Sequence, residues 1–172
     1  VIRLFLQDNI INRQITAVQV LNPKSFIGNS SKLIGESVKG IGRLGKQLTI
    51  RFTHNIDLLF HLKMTGQIIY VPLLSKGETQ REGDFVFGHP TPALNRRPLP
   101  NKFTQVIFTF DNNSRIFFND QRKFGWIRLM TPQEVSQFQS DLGVDILDSA
   151  FTPEYLYEQL HTSRRAVKLV LL

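Results

Sequence analysis

The chain has 172 residues, no cysteine and a formal charge of +7, from 21 Lys and Arg against 14 Asp and Glu. This length makes one domain, or one domain and part of another, and is enough to bury a core. The lack of cysteine excludes disulfides, thiol catalysis and a cysteine-ligated metal within these residues, and fits a reducing compartment.

With 41% apolar and 20% charged residues the composition is that of a folded domain rather than a disordered chain. No apolar run approaches the length of a membrane span. The opening Val1-Ile2-Arg3-Leu4-Phe5-Leu6 lacks the basic region and cleavage site of a signal peptide. It also lacks an initiator Met, so the expectation is a piece of a longer protein. The basic balance favours polyanions, nucleic acid first, if the cations gather on one face. Scattered, they serve solubility only.

Residues 14–21 alternate apolar and polar and stop at Asn22-Pro23, which reads as a strand and its turn. Residues 46–53 alternate again, and 56–62 form a nearly continuous apolar run, the pattern of a more deeply buried strand. Further strands are expected over 67–73, 103–110, 115–119 and 125–129, with a hairpin turn at Asp111-Asn112-Asn113-Ser114. Seven or eight short strands at close spacing predict a mainly β fold, an antiparallel two-sheet sandwich. Residues 75–101 hold Pro90, Pro92, Pro98 and Pro100 and read as one long loop.

The pattern changes after Met130. Thr131-Pro132-Gln133-Glu134 combines an N-cap, a proline at the first helical position and a glutamate three residues after the cap. Val135, Phe138 and Leu142 then follow at helical spacing up to Gly143. Thr152-Pro153-Glu154 is a second helix start, and Ser163 is expected to cap a third helix carrying Arg164, Arg165 and Lys168. The expected division is a β-sandwich over 1–130 and the start of a helical module over 131–172.

Three segments could carry chemistry. Residues 39–46 place Lys39, Arg43 and Lys46 among Gly40, Gly42 and Gly45, which would let a backbone approach a polyanion closely. The spacing is not that of a nucleotide-binding P-loop, and a turn with solvated charges reads equally well. His61-Leu62-Lys63-Met64-Thr65-Gly66 ends the buried strand. There an exposed Met64 would be a flexible apolar wedge, and a buried one would be core. Asn119-Asp120-Gln121-Arg122-Lys123-Phe124-Gly125-Trp126 sets cations beside aromatics on one turn, which suits phosphate contact and base stacking. Its bland alternative is a hairpin with Phe124 and Trp126 in the core.

Taken together, His61-Leu62-Lys63-Met64-Thr65-Gly66 and Asp120-Gln121-Arg122-Lys123-Phe124-Gly125 resemble the two signature segments of the formamidopyrimidine-DNA glycosylase and endonuclease VIII family. Gly45-Lys46 is similar to that family's lysine segment. Residues 151–165 are similar to its entry into the helix–two-turn–helix domain. The resemblance implies a β-sandwich and a helical domain that clamp damaged duplex DNA and flip out an oxidised base, such as 8-oxoguanine or a formamidopyrimidine. It implies Met64, Arg122 and Phe124 as the residues that fill the vacated space, with Arg122 on the orphaned base. Lys46, His61, Arg122 and Lys123 are implied as DNA contacts.

The same resemblance implies base excision followed by β/δ-elimination through an N-terminal proline Schiff base, with a glutamate after it. No proline of this chain fills that role, so Pro-Glu is expected just upstream of Val1 and no catalytic residue within the chain, which alone is expected to be inactive. No metal or cofactor is expected here; Zn2+ is implied for a C-terminal zinc finger beyond Leu172. The resemblance further implies a cytoplasmic, nucleoid-acting monomer with no membrane partner. Gln105 stands where the family carries a histidine, which removes one phosphate contact. Two other readings predict different surfaces or activities: a non-catalytic nucleic-acid-binding domain on the same scaffold, and a β-sandwich interaction module with scattered cations.

Overall fold

The computed structural model describes residues 1–73, 85–88, 98–140, 142–145 and 148–170. They form two compact units, Val1–Phe138 and Gln139–Leu172. The first begins with helix α1 (Ile2–Ile10) and carries strands β1 (Ile15–Val20), β2 (Phe26–Ile27), β3 (Val38–Leu44), β4 (Gln47–Phe52), β5 (Asp57–His61), β6 (Gly66–Val71), β7 (Phe85–Gly88), β8 (Thr104–Phe110), β9 (Arg115–Asp120) and β10 (Trp126–Met130), then helix α2 (Pro132–Gln139). One sheet runs β1-β8-β9-β6-β7 and the other β2-β10-β5-β4-β3.

The alternating runs explain the two layers. Ile68, Tyr70, Val106, Phe108, Ile116 and Phe118 from the first sheet meet Ile41, Leu48, Ile50, Leu58, Phe60 and Ile127 from the second in one buried core. Leu6 and Ile10 of α1, one turn apart on one helix face, join that core fully buried. Phe5 lies against the rings of Tyr70, Phe85 and Phe87, with centroids 5.6, 4.4 and 4.9 Å away. The continuous apolar run at 56–62 has its own reason. Leu58 and Phe60 face the core, while Leu59, on the opposite face, is also buried.

The described residues hold ten strands rather than seven or eight, and the three that the sequence reading did not anticipate each have a cause. β2 is two residues long and pairs parallel to β10, an exception in an otherwise antiparallel architecture. β3 carries two glycines and alternates weakly, so it resembles a loop in sequence. β7 lies inside the segment expected to be one long loop and pairs with β6 from Tyr70↔Phe85 to Gln67↔Gly88. Of that expected loop, 75–84 and 89–97 lie outside the described residues.

Helix α2 starts as its sequence signals. The Thr131 hydroxyl accepts from the Glu134 amide at 3.3 Å, and the Glu134 carboxylate accepts from the Thr131 amide at 2.7 Å. This reciprocal capping holds the Glu134 carboxyl below its usual range. The helix ends at Gln139, before Leu142, so the third residue of the expected apolar face does not extend it. Phe138 stays with the first unit, its ring perpendicular to Trp126 at 5.7 Å.

The second unit contains α3 (Pro153–Thr162) and α4 (Val167–Val170). Thr152 caps α3 by accepting from the Tyr155 amide at 3.1 Å. Ser163, expected as an N-cap, instead ends α3, and its hydroxyl takes the Arg165 amide in a turn. The last helix therefore starts only at Val167. No described helix is long and apolar enough to cross a membrane.

Candidate nucleic-acid interface

Two loops meet at one end of the sandwich. The β5–β6 loop carries Leu62, Lys63, Met64 and Thr65; the β9–β10 loop carries Gln121, Arg122, Lys123, Phe124 and Gly125. Their strands are not neighbours in one sheet. β9 pairs with β6, and β10 pairs with β5 across the sandwich. Each loop thus crosses from one sheet to the other, and the two crossings lie side by side.

Asp120 joins them. It is 1% exposed. One carboxylate oxygen accepts from the Thr65 hydroxyl and from the Arg122 amide, the latter at 3.1 Å. The other accepts from the Gly125 amide at 2.6 Å. A buried carboxylate needs such donors to offset its desolvation. Here they are supplied by the turns themselves, so neutralising the charge also sets the loop geometry. Gly125 is required by close packing: a Cβ there would stand 2.8 Å from the Phe118 ring and 3.1 Å from the Asp120 carboxylate. Lys63 and Lys123, at the two tips, adopt left-handed backbone with φ of 53° and 59°.

The consequence is a small exposed cluster. Met64 is 65% exposed and Phe124 58%. The Arg122 guanidinium bridges them, 3.6 Å from the Met64 sulfur and 4.9 Å from the Phe124 ring centroid. Exposed Met and Phe lose hydrophobic stabilisation in the free protein, so these two are not core residues. The alternative that buried Phe124 is thereby excluded, while Trp126 is partly buried.

Lys46 and His61 flank the cluster. Gly45 and Lys46 form the two-residue turn between β3 and β4, with Gly45 in first position at φ 54° as such a hairpin favours. Lys46 is exposed at the turn tip. His61 ends β5, directly opposite Gln47 on one side and Trp126 on the other. Its Nδ1 accepts from the Lys63 amide at 3.1 Å, which fixes the neutral ring with its proton on Nε2. Burial first, then the charges of Lys63 and Lys46, lower the His61 pKa. The folded chain therefore holds His61 neutral, with Nε2–H free to donate. Nuclear magnetic resonance titration is expected to place its midpoint below the ordinary value of about 6.5. Lys46→Met should raise it by removing one repulsive charge. With the folded pKa depressed, His61 stabilises the fold above that ordinary value, and the contribution is lost as pH falls through the folded pKa. A midpoint that Lys46→Met leaves unmoved would show that the two groups do not interact.

Between these elements lies a cleft of about 400 Å3, lined by Ile2, Lys46, Leu62, Met64, Gly66 and Gly88 among others. The first turn of α1 therefore stands at the rim of the cleft. Among the described residues no three His, Asp or Glu side chains converge on a metal position, and the chain has no cysteine. The zinc implied by the family resemblance has no donor set among the described residues.

One sequence expectation needs correction. The cluster at 39–46 is not one phosphate-cradling loop. Residues 38–44 form edge strand β3, and a rise of about 3.3 Å per residue sets Lys39 roughly 20 Å from Lys46. Gly40 and Gly42 serve another purpose: the Arg51 side chain lies across them, with an added Cβ at Gly42 only 3.2 Å from its Nη2. Gln105 is 1% exposed and is an internal joint rather than a surface position. Its amide donates to the Phe103 and Asp120 carbonyls at 2.7 and 3.3 Å, and its carbonyl accepts from Asn22 and Ser25 at 2.6 and 3.3 Å. Sequence reasoning missed this role and that of Asp120. An aspartate at the mouth of a turn was the only signal for the latter.

The comparisons with known proteins agree with this geometry. Residues 1–127 match the profile of the formamidopyrimidine-DNA glycosylase N-terminal domain. A formamidopyrimidine-DNA glycosylase of Wolbachia sp. subsp. Brugia malayi is 30% identical over 176 residues, covering 100% of this chain and 56% of the relative. That of Desulforamulus reducens is 29% identical over 175 residues, covering 97% and 55%. The chain thus spans a little over half the length of these curated relatives.

Among solved structures, a complex of Lactococcus lactis Fpg with DNA containing an abasic site superposes with a TM-score of 0.77 at 21% identity, over 99% of this chain and 57% of that one. A complex of the same protein with DNA containing FAPY-dG gives 0.77 at 21%, over 99% and 58%. At that identity the likeness concerns the fold. The match to the N-terminal domain profile covers most of the chain, with both signature loops inside it and standing together at one end of a two-sheet sandwich, and the chain belongs to the formamidopyrimidine-DNA glycosylase family.

Proposed function

We propose that this chain is the damage-gripping part of a base-excision DNA glycosylase that removes oxidised bases, 8-oxoguanine and formamidopyrimidines, from duplex DNA. The observation that carries the reading is the exposed Met64–Arg122–Phe124 cluster, held by one buried carboxylate and flanked by Lys46 and His61. An everted nucleotide leaves a gap in the stack, and flipping costs a few kcal/mol. Met64 and Phe124 fill that gap, and Arg122 donates to the unpaired base opposite. Lys46, the Nε2–H of His61, and Lys123 hold backbone phosphates on either side.

The cleft beside α1 receives the everted sugar. In this reading a secondary amine attached ahead of Val1 attacks C1′ there as the C1′–N glycosidic bond breaks and the damaged base leaves. The sugar ring then opens at O4′, which takes the amine's proton, to give the Schiff base, and β- and δ-elimination of the flanking phosphates follow. A glutamate next to it moves the proton. Both groups belong to a Pro-Glu segment preceding Val1, and these 172 residues alone bind without catalysing. The protein acts on chromosomal DNA as a monomer.

The test is borohydride trapping on an abasic duplex, with this chain beside a version beginning Pro-Glu-Leu-Pro-Glu ahead of Val1. A covalent band with the extended version only is the expected result. No band with either, while both bind the duplex, would leave a non-catalytic DNA-binding domain as the better reading. In binding assays Lys46→Ala should weaken all duplexes alike and reduce the salt slope by about one unit. An unchanged slope would remove Lys46 from the interface.

A further inference from the structure

Arg128 is the least explained cation of the sandwich. It lies in β10, directly opposite Leu59, on the outer face of its sheet, since Ile127 beside it points into the core. Its guanidinium lies against two mutually perpendicular rings, 4.5 Å from the Trp126 centroid and 4.9 Å from that of Phe138. Its Nε is buried and has no hydrogen-bond partner among the described residues, and no carboxylate among them pairs with it. Arginine cannot escape this by losing its proton. Partly burying a permanent cation without an anion is costly, and two aromatic faces offset only part of that cost.

The arrangement is built to present, not to hide, the charge. The two rings stand perpendicular to each other and cover adjacent sides of the guanidinium, and with Nε buried the edge formed by its two terminal Nη groups is what remains for hydrogen bonds. That edge carries paired N–H donors matched to two oxygens of one phosphate. The position is continuous with the interface already described. The Trp126 ring stands 5.4 Å from His61, and Gly125 links Trp126 directly to Phe124. His61, Trp126 and Arg128 thus follow one another across adjacent strands on one face, and Lys46 stands in the turn beside Gln47, the strand partner of His61.

We propose that Arg128, braced by Trp126 and Phe138, is a further backbone-phosphate site that extends the DNA track beyond His61 along the outer face of the β10 sheet. This rests on the reading above that the chain grips duplex DNA. The partner is a phosphodiester of the bound strand, because the site adjoins the cations and the stacking residues of the same interface. Phe138 acts as a positioning residue whose ring braces the guanidinium.

The experiment is duplex binding against salt for the wild-type chain, Arg128→Gln and Arg128→Lys, followed by a walk of single neutral methylphosphonates along each strand. Trp126 is the sole tryptophan, so its fluorescence reports on the brace itself in every variant. Arg128→Gln is expected to bind about tenfold more weakly, in line with loss of a charge-assisted hydrogen bond. Its salt slope should fall by about one unit. One methylphosphonate position that weakens the wild type should no longer matter to this variant. Arg128→Lys should keep the slope and lose part of the affinity. Free inorganic phosphate should bind at neither protein with comparable strength, which separates a DNA track from a small-anion site. An unchanged slope and an unchanged methylphosphonate pattern in Arg128→Gln, with the Trp126 emission shifted, would make Arg128 a purely structural cation and overturn the proposal. A wild-type chain that binds no duplex would instead overturn the reading of the whole interface, and it would do so before any variant is compared.

Discussion

Asp120→Ala should reduce binding to an abasic duplex by about two orders of magnitude, the scale on which small misplacements of positioned groups act. The Ala variant leaves the Thr65 hydroxyl and the Gly125 amide without their acceptor. A buried donor stripped of its partner costs about 1–3 kcal/mol. The Arg122 amide keeps the Thr65 hydroxyl as an acceptor at 3.2 Å, but the Gly125 amide is buried. The loss should therefore appear both as a lower melting temperature and as a looser cluster. Asp120→Asn separates the two effects. Its Oδ1 still accepts from Thr65 and Arg122, while its NH2 opposes the Gly125 N–H. That variant should keep more affinity than alanine at a similar cost in stability. Binding to abasic and intact duplexes, measured well below each variant's Tm, is the check. An alanine variant that folds and keeps its preference for the abasic duplex would show that the two loops do not need this carboxylate.

The second large effect is expected at Phe124. Stacking of a base on an aromatic side chain is worth about 1–3 kcal/mol, so Phe124→Ala should weaken binding to abasic or lesion duplexes by about five- to a hundredfold. Intact duplex offers no gap to fill and should be nearly unaffected. Folding should hardly change, because the ring is 58% exposed. The substitution also frees Arg122 from its contact with the ring at 4.9 Å, so Arg122→Ala on top of it should cost less than Arg122→Ala alone. Equal losses on intact and abasic duplexes would remove Phe124 from any gap-filling role and return it to general surface contact.

Much of this was legible from residue order. Alternating runs such as 103–110 and 115–119 specify strands, because a period of two buries one face whatever the partner is. Thr131 and Thr152 mark helix starts, since a capping oxygen satisfies local amides and needs no tertiary context. The segments 61–66 and 119–126 were legible as clusters of cations and apolar side chains, but whether Met64 and Phe124 lay exposed or in the core was not. β3 and β7 were not legible, because an edge strand with glycines, or one within a proline-rich stretch, is specified by the partner strand more than by its own sequence.

The two signature segments are separated by more than fifty residues, and nothing local says they touch; a single hydrogen bond from Arg122 to the Thr65 hydroxyl spans 57 positions. Their meeting depends on β6 pairing with β9 while β5 pairs with β10 across the sandwich. The roles of Asp120, Gln105 and Arg128 are of the same kind. Sequence determines which side chains are charged, apolar or able to cap. Only the tertiary structure decides which of the charged ones are buried, because burial of a carboxylate, an amide or a guanidinium is set by donors, acceptors and rings brought from distant strands.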